Sequence, residues 1–306
     1  MGKASRTKND SSRRERIAAQ RAAERRREQR QRLLVVGGSI LAVVIIVVGF
    51  VVYKATSGST PGNTSNGPTG ATLTSVTNEV TGVSSSILDQ VGAGGSSLQG
   101  GIKAISGSSG SGGGASLTSN GKPEVFFYGA EYCPYCAANR WGLVVALSRF
   151  GTFSGLKTIS SSATDSPASV PTFTFYGSSY TSKYISFVPV ETLGNVAGSN
   201  GQYPTLQTPT SAETAIVNKY DGSQGSIPFV DFGGKYDQSG DLAMLQPTSL
   251  TGSWETIAAD LNKPSTANAK AVDGAANFMT AAICKLTNNQ PATACTSTVQ
   301  GLESQL

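Results

Sequence analysis

The chain has 306 residues, of which 38% are hydrophobic and 14% charged, and it holds 36 glycines but no histidine. Without an imidazole, Ser-His-Asp catalysis, Cys-His catalysis and His-ligated zinc are excluded. The net charge of +5 is concentrated at one end: residues 1–32 hold twelve Lys/Arg against four Asp/Glu, and the remainder holds twelve against fifteen, with no basic excess to grip a nucleic-acid backbone.

The basic arm, residues 1–32, is expected to be helical. Ser12 and Glu15 form a capping box, Ala, Arg, Glu and Gln fill the following turns, and Glu28 can pair with Arg32. Such an arm could bind nucleic acid or anionic lipid, but it reads more simply as a topology signal lying against anionic headgroups.

Residues 33–53, LLVVGGSILAVVIIVVGFVVY, carry no charge. At 1.5 Å per helical residue they span about 31 Å, enough for a hydrocarbon core. The run exceeds the apolar region of a cleavable signal, so a permanent single-pass anchor is expected. The positive flank precedes the run, which puts the N-terminus in the cytoplasm and the bulk of the chain outside it, with the lipid bilayer as one partner.

Residues 54–120 are rich in Gly, Ser and Thr, the composition of a flexible linker. Within it Leu73, Val76, Val80, Val83 and Ile87 recur at helical spacing, which suggests a short segment that folds only by docking. From Gly121 the pattern changes. Strand-like runs VFFYG, TFTFYG, YISFVPV and PFVDFGG alternate with helical stretches at 134–149, 211–220, 252–262 and 267–287. Residues 121–306 are therefore expected to form one α/β domain.

The segment VFFYGAEYCPYCAANRWGLVVALSRF carries the chemistry. A short apolar strand leads through a turn into Cys133-Pro134-Tyr135-Cys136 and then a long helix. Pro134 suits the first helical position, which makes Cys133 the N-cap. Free N–H groups and the helix dipole favour an anion there, so Cys133 should ionise more readily than a free thiol. Cys136, three residues on, can close a small disulfide with it or resolve a mixed one.

The motifs GAEYCPYCAANRW, ALSRFGTFSGL, SKYISFVPVE, IPFVDFGGKY and AAICKLTNNQPATAC together resemble a family of membrane-anchored proteins known only as a domain of unknown function, found in actinobacteria and some archaea. Residues 121–306 also resemble a thioredoxin-like domain, with an insertion at about 160–225. Tyr132 stands where many thioredoxins have Trp, and the central Pro-Tyr pair matches many glutaredoxins. The resemblance implies that Pro228, opening the strand PFVDF, is a cis-proline facing the cysteine pair. It further implies that Ile227 and Pro228 bare backbone for an extended substrate segment.

Tyr135 and Trp141 could line a peptide groove, although Trp141 on an apolar helix face reads as core. Glu131 reads as a solvated loop carboxylate, with a proton relay as the sharper alternative. Asp231 is either a buried acid near the cysteines or a solvated residue on an alternating strand. Cys284 and Cys295, ten residues apart, read most simply as a structural disulfide outside the cytoplasm. A second redox pair and a four-cysteine zinc site are weaker readings, and no metal site is expected.

The leading expectation is a membrane-tethered extracytoplasmic thiol–disulfide oxidoreductase. Cys133 and Cys136 would act on cysteines of exported proteins, and a membrane redox partner would reset the pair. No cofactor is needed, because the electrons reside in the cysteines. The rival expectation is a non-catalytic binding or scaffolding module with structural disulfides.

Overall fold

A computed structural model describes residues 66–95, 101–105, 116–221 and 226–306. The basic arm and the apolar run at 33–53, with the expected membrane crossing, lie outside these residues. Among the described residues no helix is long and apolar enough to cross a membrane.

The chain forms a mixed α/β structure. The described residues open with α1 (Gly70–Thr81) and α2 (Ser85–Val91), then the short strands β1 (Lys103–Ala104) and β2 (Thr118–Ser119). The strand β3 (Lys122–Gly129) leads into the long helix α3 (Pro134–Ser148). Four strands follow: β4 (Gly151–Ser154), β5 (Lys157–Ser160), β6 (Pro171–Thr174) and β7 (Ser179–Ser182). Next come β8 (Ser186–Glu191), α4 (Ser211–Asp221), β9 (Phe229–Phe232) and β10 (Tyr236–Ser239). The chain ends with α5 (Trp254–Asp260), α6 (Ala267–Leu286) and α7 (Ser297–Leu302). The four helices expected between 134 and 287 all form, each end within two residues of its expected place.

In the main sheet β3 is central. It pairs in parallel with β8, Phe126 opposite Val188, and antiparallel with β9, Phe127 opposite Val230. β10 continues the sheet beyond β9, and β1 closes that edge. Successive β3 side chains point to opposite faces. Val125 and Phe127 enter the large core beneath α3 and α6, and Phe126 enters a smaller one with Val190, Val217 and Phe229. The continuous apolar run VFFY follows from burial on both faces.

β4 pairs with β7, and β5 with β6, as two separate ribbons between α3 and β8. An aromatic cluster packs the first of them: Phe175 and Phe187 lie 4.9 Å apart by ring centroids, and Phe153 and Tyr180 5.0 Å. The second is tied to α3, where Trp141 Nε1 donates to the Pro171 carbonyl at 2.8 Å and Thr172 Oγ1 to the Ala137 carbonyl at 2.7 Å.

The stretch read as a flexible linker contains a packed section. Val76, Val80 and Leu88 are fully buried in the same core as α3 and α6. α1 lies against α5 and α3, and α2 against α6. Asn277 of α6 donates to the Leu88 and Gly92 carbonyls, both at 2.8 Å. The backbones touch where Gly94 (φ +65°) meets Gly274, since a Cβ on Gly274 would fall 2.9 Å from Gly94 Cα. Poor intrinsic helix formers are helical here because packing, rather than propensity, supplies most helical stability.

Candidate functional site

Cys133 sits at the N-cap of α3 with extended backbone (φ −71°, ψ 122°), and Pro134 occupies the first turn. Its sulfur accepts the amide hydrogen of Cys136 at 3.2 Å, as an N-cap oxygen would. Cys133 is 5% exposed and Cys136 fully buried, and both are free thiols.

The two sulfurs are electrostatically unequal. The Cys136 thiol's hydrogen bond holds Cys133 below the usual thiol range, against the opposing effect of burial. The Cys136 amide and the positive charge of Arg140 add to the lowering. Burial pushes Cys136 well above that range, and its role as donor to Cys133 adds to the rise. One sulfur is thus prepared as a thiolate and the other as a thiol.

Gly129, at the end of β3, makes room for this pair. A Cβ there would lie 2.6 Å from Phe127 Cζ and 3.2 Å from Cys136 Sγ. Across the site, the Ile227 carbonyl oxygen lies 3.9 Å from Cys133 Sγ, and the Ile227–Pro228 peptide is cis. The structure therefore brings Cys133, Cys136, Ile227 and Pro228 together. Tyr135 stands at the rim, 40% exposed.

Among the described residues, the exposed large hydrophobics are Tyr135 and Val196, the latter 45% exposed. Val196 and Tyr203 line a cavity of about 430 Å³ in the loop after β8. Tyr203 stacks on Tyr132, centroids 4.5 Å apart and rings 10° from parallel, next to Cys133. Its hydroxyl donates to Ser162 Oγ at 2.7 Å, and the Ser162 amide donates to the Tyr132 carbonyl at 2.9 Å. The same loop reaches back to the turn before the cysteines, where the Glu131 amide donates to the Leu193 carbonyl at 2.8 Å.

Three carboxylates differ from or extend the sequence reading. Glu131, expected to be solvated, is fully buried, and Thr174 Oγ1 donates to its Oε1 at 2.5 Å. Thr174 of β6 and Leu193 of the loop after β8 both bond to Glu131, in the turn before α3. Asp231 is buried, but it shares the sheet face of Phe229, the face opposite the one α3 covers. Burial pushes its carboxyl up to about 7. Glu191, at the end of β8, was not singled out from sequence at all. It is fully buried and holds Arg140 of α3 through two bonds, Nε to Oε1 at 2.8 Å and Nη2 to Oε2 at 2.7 Å. A single charge on an otherwise apolar helix, four residues after Cys136, was the available signal.

Cys284, near the C-terminal end of α6, is bonded to Cys295 before α7, with sulfurs 1.98 Å apart. Both are buried. Among the described residues no group of three or more Cys, Asp or Glu is placed to hold a metal ion.

The model of a family described as a domain of unknown function, DUF929, matches residues 113–285. The chain belongs to this family. The DUF929 match spans more than half of the chain and includes Cys133, Cys136, Arg140, Glu191 and Pro228. No curated protein and no solved structure matches the chain.

Proposed function

We propose that this DUF929 protein is a thiol–disulfide oxidoreductase, held outside the cytoplasm by a single membrane span and acting on cysteines of exported proteins. The observation that carries the reading is the inequality of the pair. Cys133 at a helix N-terminus is held low as an acid, and Cys136 one turn in is held high. A nucleophile and a resolving thiol require that division of roles.

A thioredoxin-like relation is part of the proposal. It is supported by the sheet order β8-β3-β9-β10, with β8 parallel to β3, β9 antiparallel to β3, and β10 antiparallel to β9. The helix bearing the cysteines follows the central strand, and Ile227-Pro228 precedes β9 beside them.

In the reductive direction the Cys133 thiolate attacks one sulfur of a substrate disulfide. That S–S bond breaks, and the other substrate sulfur leaves as a thiolate and takes a proton. Cys136 then loses its proton and attacks Cys133 Sγ, releasing the first substrate sulfur. Two electrons pass to the substrate, and the pair becomes a disulfide. Run backward, the same steps oxidise a substrate dithiol. A membrane redox partner would return the pair to its starting state. Tyr135, Val196 and the Ile227 carbonyl offer apolar and backbone contacts to a substrate segment around the attacked sulfur.

The rival reading, a binding module with an inert cysteine pair, draws on the 5% exposure of Cys133. Turnover separates the two. The full chain in detergent should accelerate reduction of insulin by glutathione, and Cys133→Ser should abolish the acceleration. Cys136→Ser should instead accumulate a mixed disulfide on Cys133. Absence of both acceleration and trapped adduct would leave the binding module standing.

A further inference from the structure

We infer that Arg140, clamped by Glu191 beneath the cysteine pair, is a positioning residue that supports Cys133 as the reacting sulfur through its fixed charge. The inference rests on Cys133 being the reacting sulfur.

Arg140 lies four residues after Cys136 and seven after Cys133, on the same side of α3. Its side chain is fully buried, so its charge is not screened by water as a surface charge would be. Three bonds fix the guanidinium: two to Glu191, and one from Nη2 to the Ala130 carbonyl at 2.8 Å. The same carbonyl accepts the Cys133 amide at 3.3 Å, so one backbone group separates the cation from the cysteine. The guanidinium carbon stands 5.7 Å from the centre of the Phe127 ring, the ring that packs at Gly129 beside Cys136 Sγ. Nη1 has no hydrogen-bond partner among the described residues.

Burying such a pair is a poor way to stabilise a fold, since apolar residues of the same volume often do as well or better. What the pair supplies is a cation that never loses its proton, placed where a thiolate forms. Burial works against that charge and Glu191 more than offsets it. Both cysteines respond in the expected direction, Arg140 lowering each. The other ionisable groups facing the site are Glu131 from the turn, Tyr132 beside Cys133, Tyr203 stacked on Tyr132, and Asp165, which acts on Tyr132. Arg140 supports the thiolate, and the negative charge of its partner Glu191 partly cancels that field.

The test is the pH dependence of alkylation at Cys133, followed by mass spectrometry on the reduced full chain, which needs no turnover. Arg140→Met should raise the Cys133 pKa by about one unit, slowing alkylation about tenfold at pH values below it. Glu191→Gln should move it the opposite way and make the pair more oxidising. Arg140→Lys should restore most of the wild-type profile, and the double variant Arg140→Met with Glu191→Gln should fall between the two singles. Shifts of the same sign in both singles, or none in either, would overturn the inference. If Arg140→Met does not fold, Arg140→Gln takes its place, and the absence of an upward shift there would overturn the inference. Opposite shifts without turnover on any disulfide would sink the oxidoreductase reading and leave the electrostatic role intact.

Discussion

The Cys136 amide donates to Cys133 Sγ across 3.2 Å, so one sulfur caps the helix that carries the other. The reduced chain should therefore alkylate unevenly. At pH 7 Cys133 should react at least about tenfold faster than Cys136, because only the thiolate is nucleophilic. Its rate should hold as pH falls from about 8.5, the free-thiol value, and drop only below its own lowered pKa. Equal rates at the two sulfurs, read by mass spectrometry, would contradict this geometry.

Gly129 is a second point of leverage. Ala at this position sets a methyl against the Phe127 ring and Cys136 Sγ, and overpacking of this kind costs about 1–3 kcal/mol. Urea unfolding of Gly129→Ala should show that loss. Unchanged stability would mean that the strand and the cysteine turn are not packed together as described.

The helices α1 and α2 make a prediction about where the folded unit begins. A chain starting at Gly121 loses Val76, Val80 and Leu88 from the core and uncovers α6. Each such side chain contributes roughly 1.5–3 kcal/mol when buried. That chain should melt well below one that keeps residues 66–120, and it should bind a hydrophobic dye. Equal melting temperatures would show that the two helices are dispensable.

Asp273 of α6 is fully buried, and neither carboxylate oxygen has a hydrogen-bond partner among the described residues. Burial pushes its carboxyl from the ordinary 3.8 up to about 8, with nearby Arg149 opposing the rise. Below pH 3.8 the group is neutral in both folded and unfolded chains. As pH rises toward 8 the folded chain keeps a proton that the unfolded chain has lost, so this group's contribution to stability falls across that window. Asp273→Asn should therefore stabilise the protein by roughly 1–3 kcal/mol at pH 9 and give no gain near pH 4. Chemical denaturation at the two pH values checks the sign.

Much of the fold could be read directly from the sequence because its period was clear. VFFYG is apolar on both faces and became the central strand, and the helices after 134 end close to their expected places. The cysteine turn was legible for a local reason: an N-cap, a proline and a helix are specified by neighbours in sequence. Long-range pairings were not. Arg140 and Glu191 are 51 positions apart, and nothing local announces that one will hold the other. The burial of Glu131 likewise depends on Thr174 and Leu193, which arrive from two later segments. In the linker, the helical spacing of Leu73, Val76, Val80, Val83 and Ile87 marked a docking segment, but its Gly, Ser and Thr gave no sign of two helices, α1 against α3 and α5 and α2 against α6.

The most direct test of the central claim is the reduction potential of the Cys133–Cys136 pair. The full chain would be equilibrated across a glutathione series and each cysteine alkylated differentially. The account predicts that Cys133 and Cys136 titrate together between about −120 and −270 mV, and that Cys284 and Cys295 stay oxidised throughout. A pair that resists reduction below about −300 mV, like a structural disulfide, would contradict it.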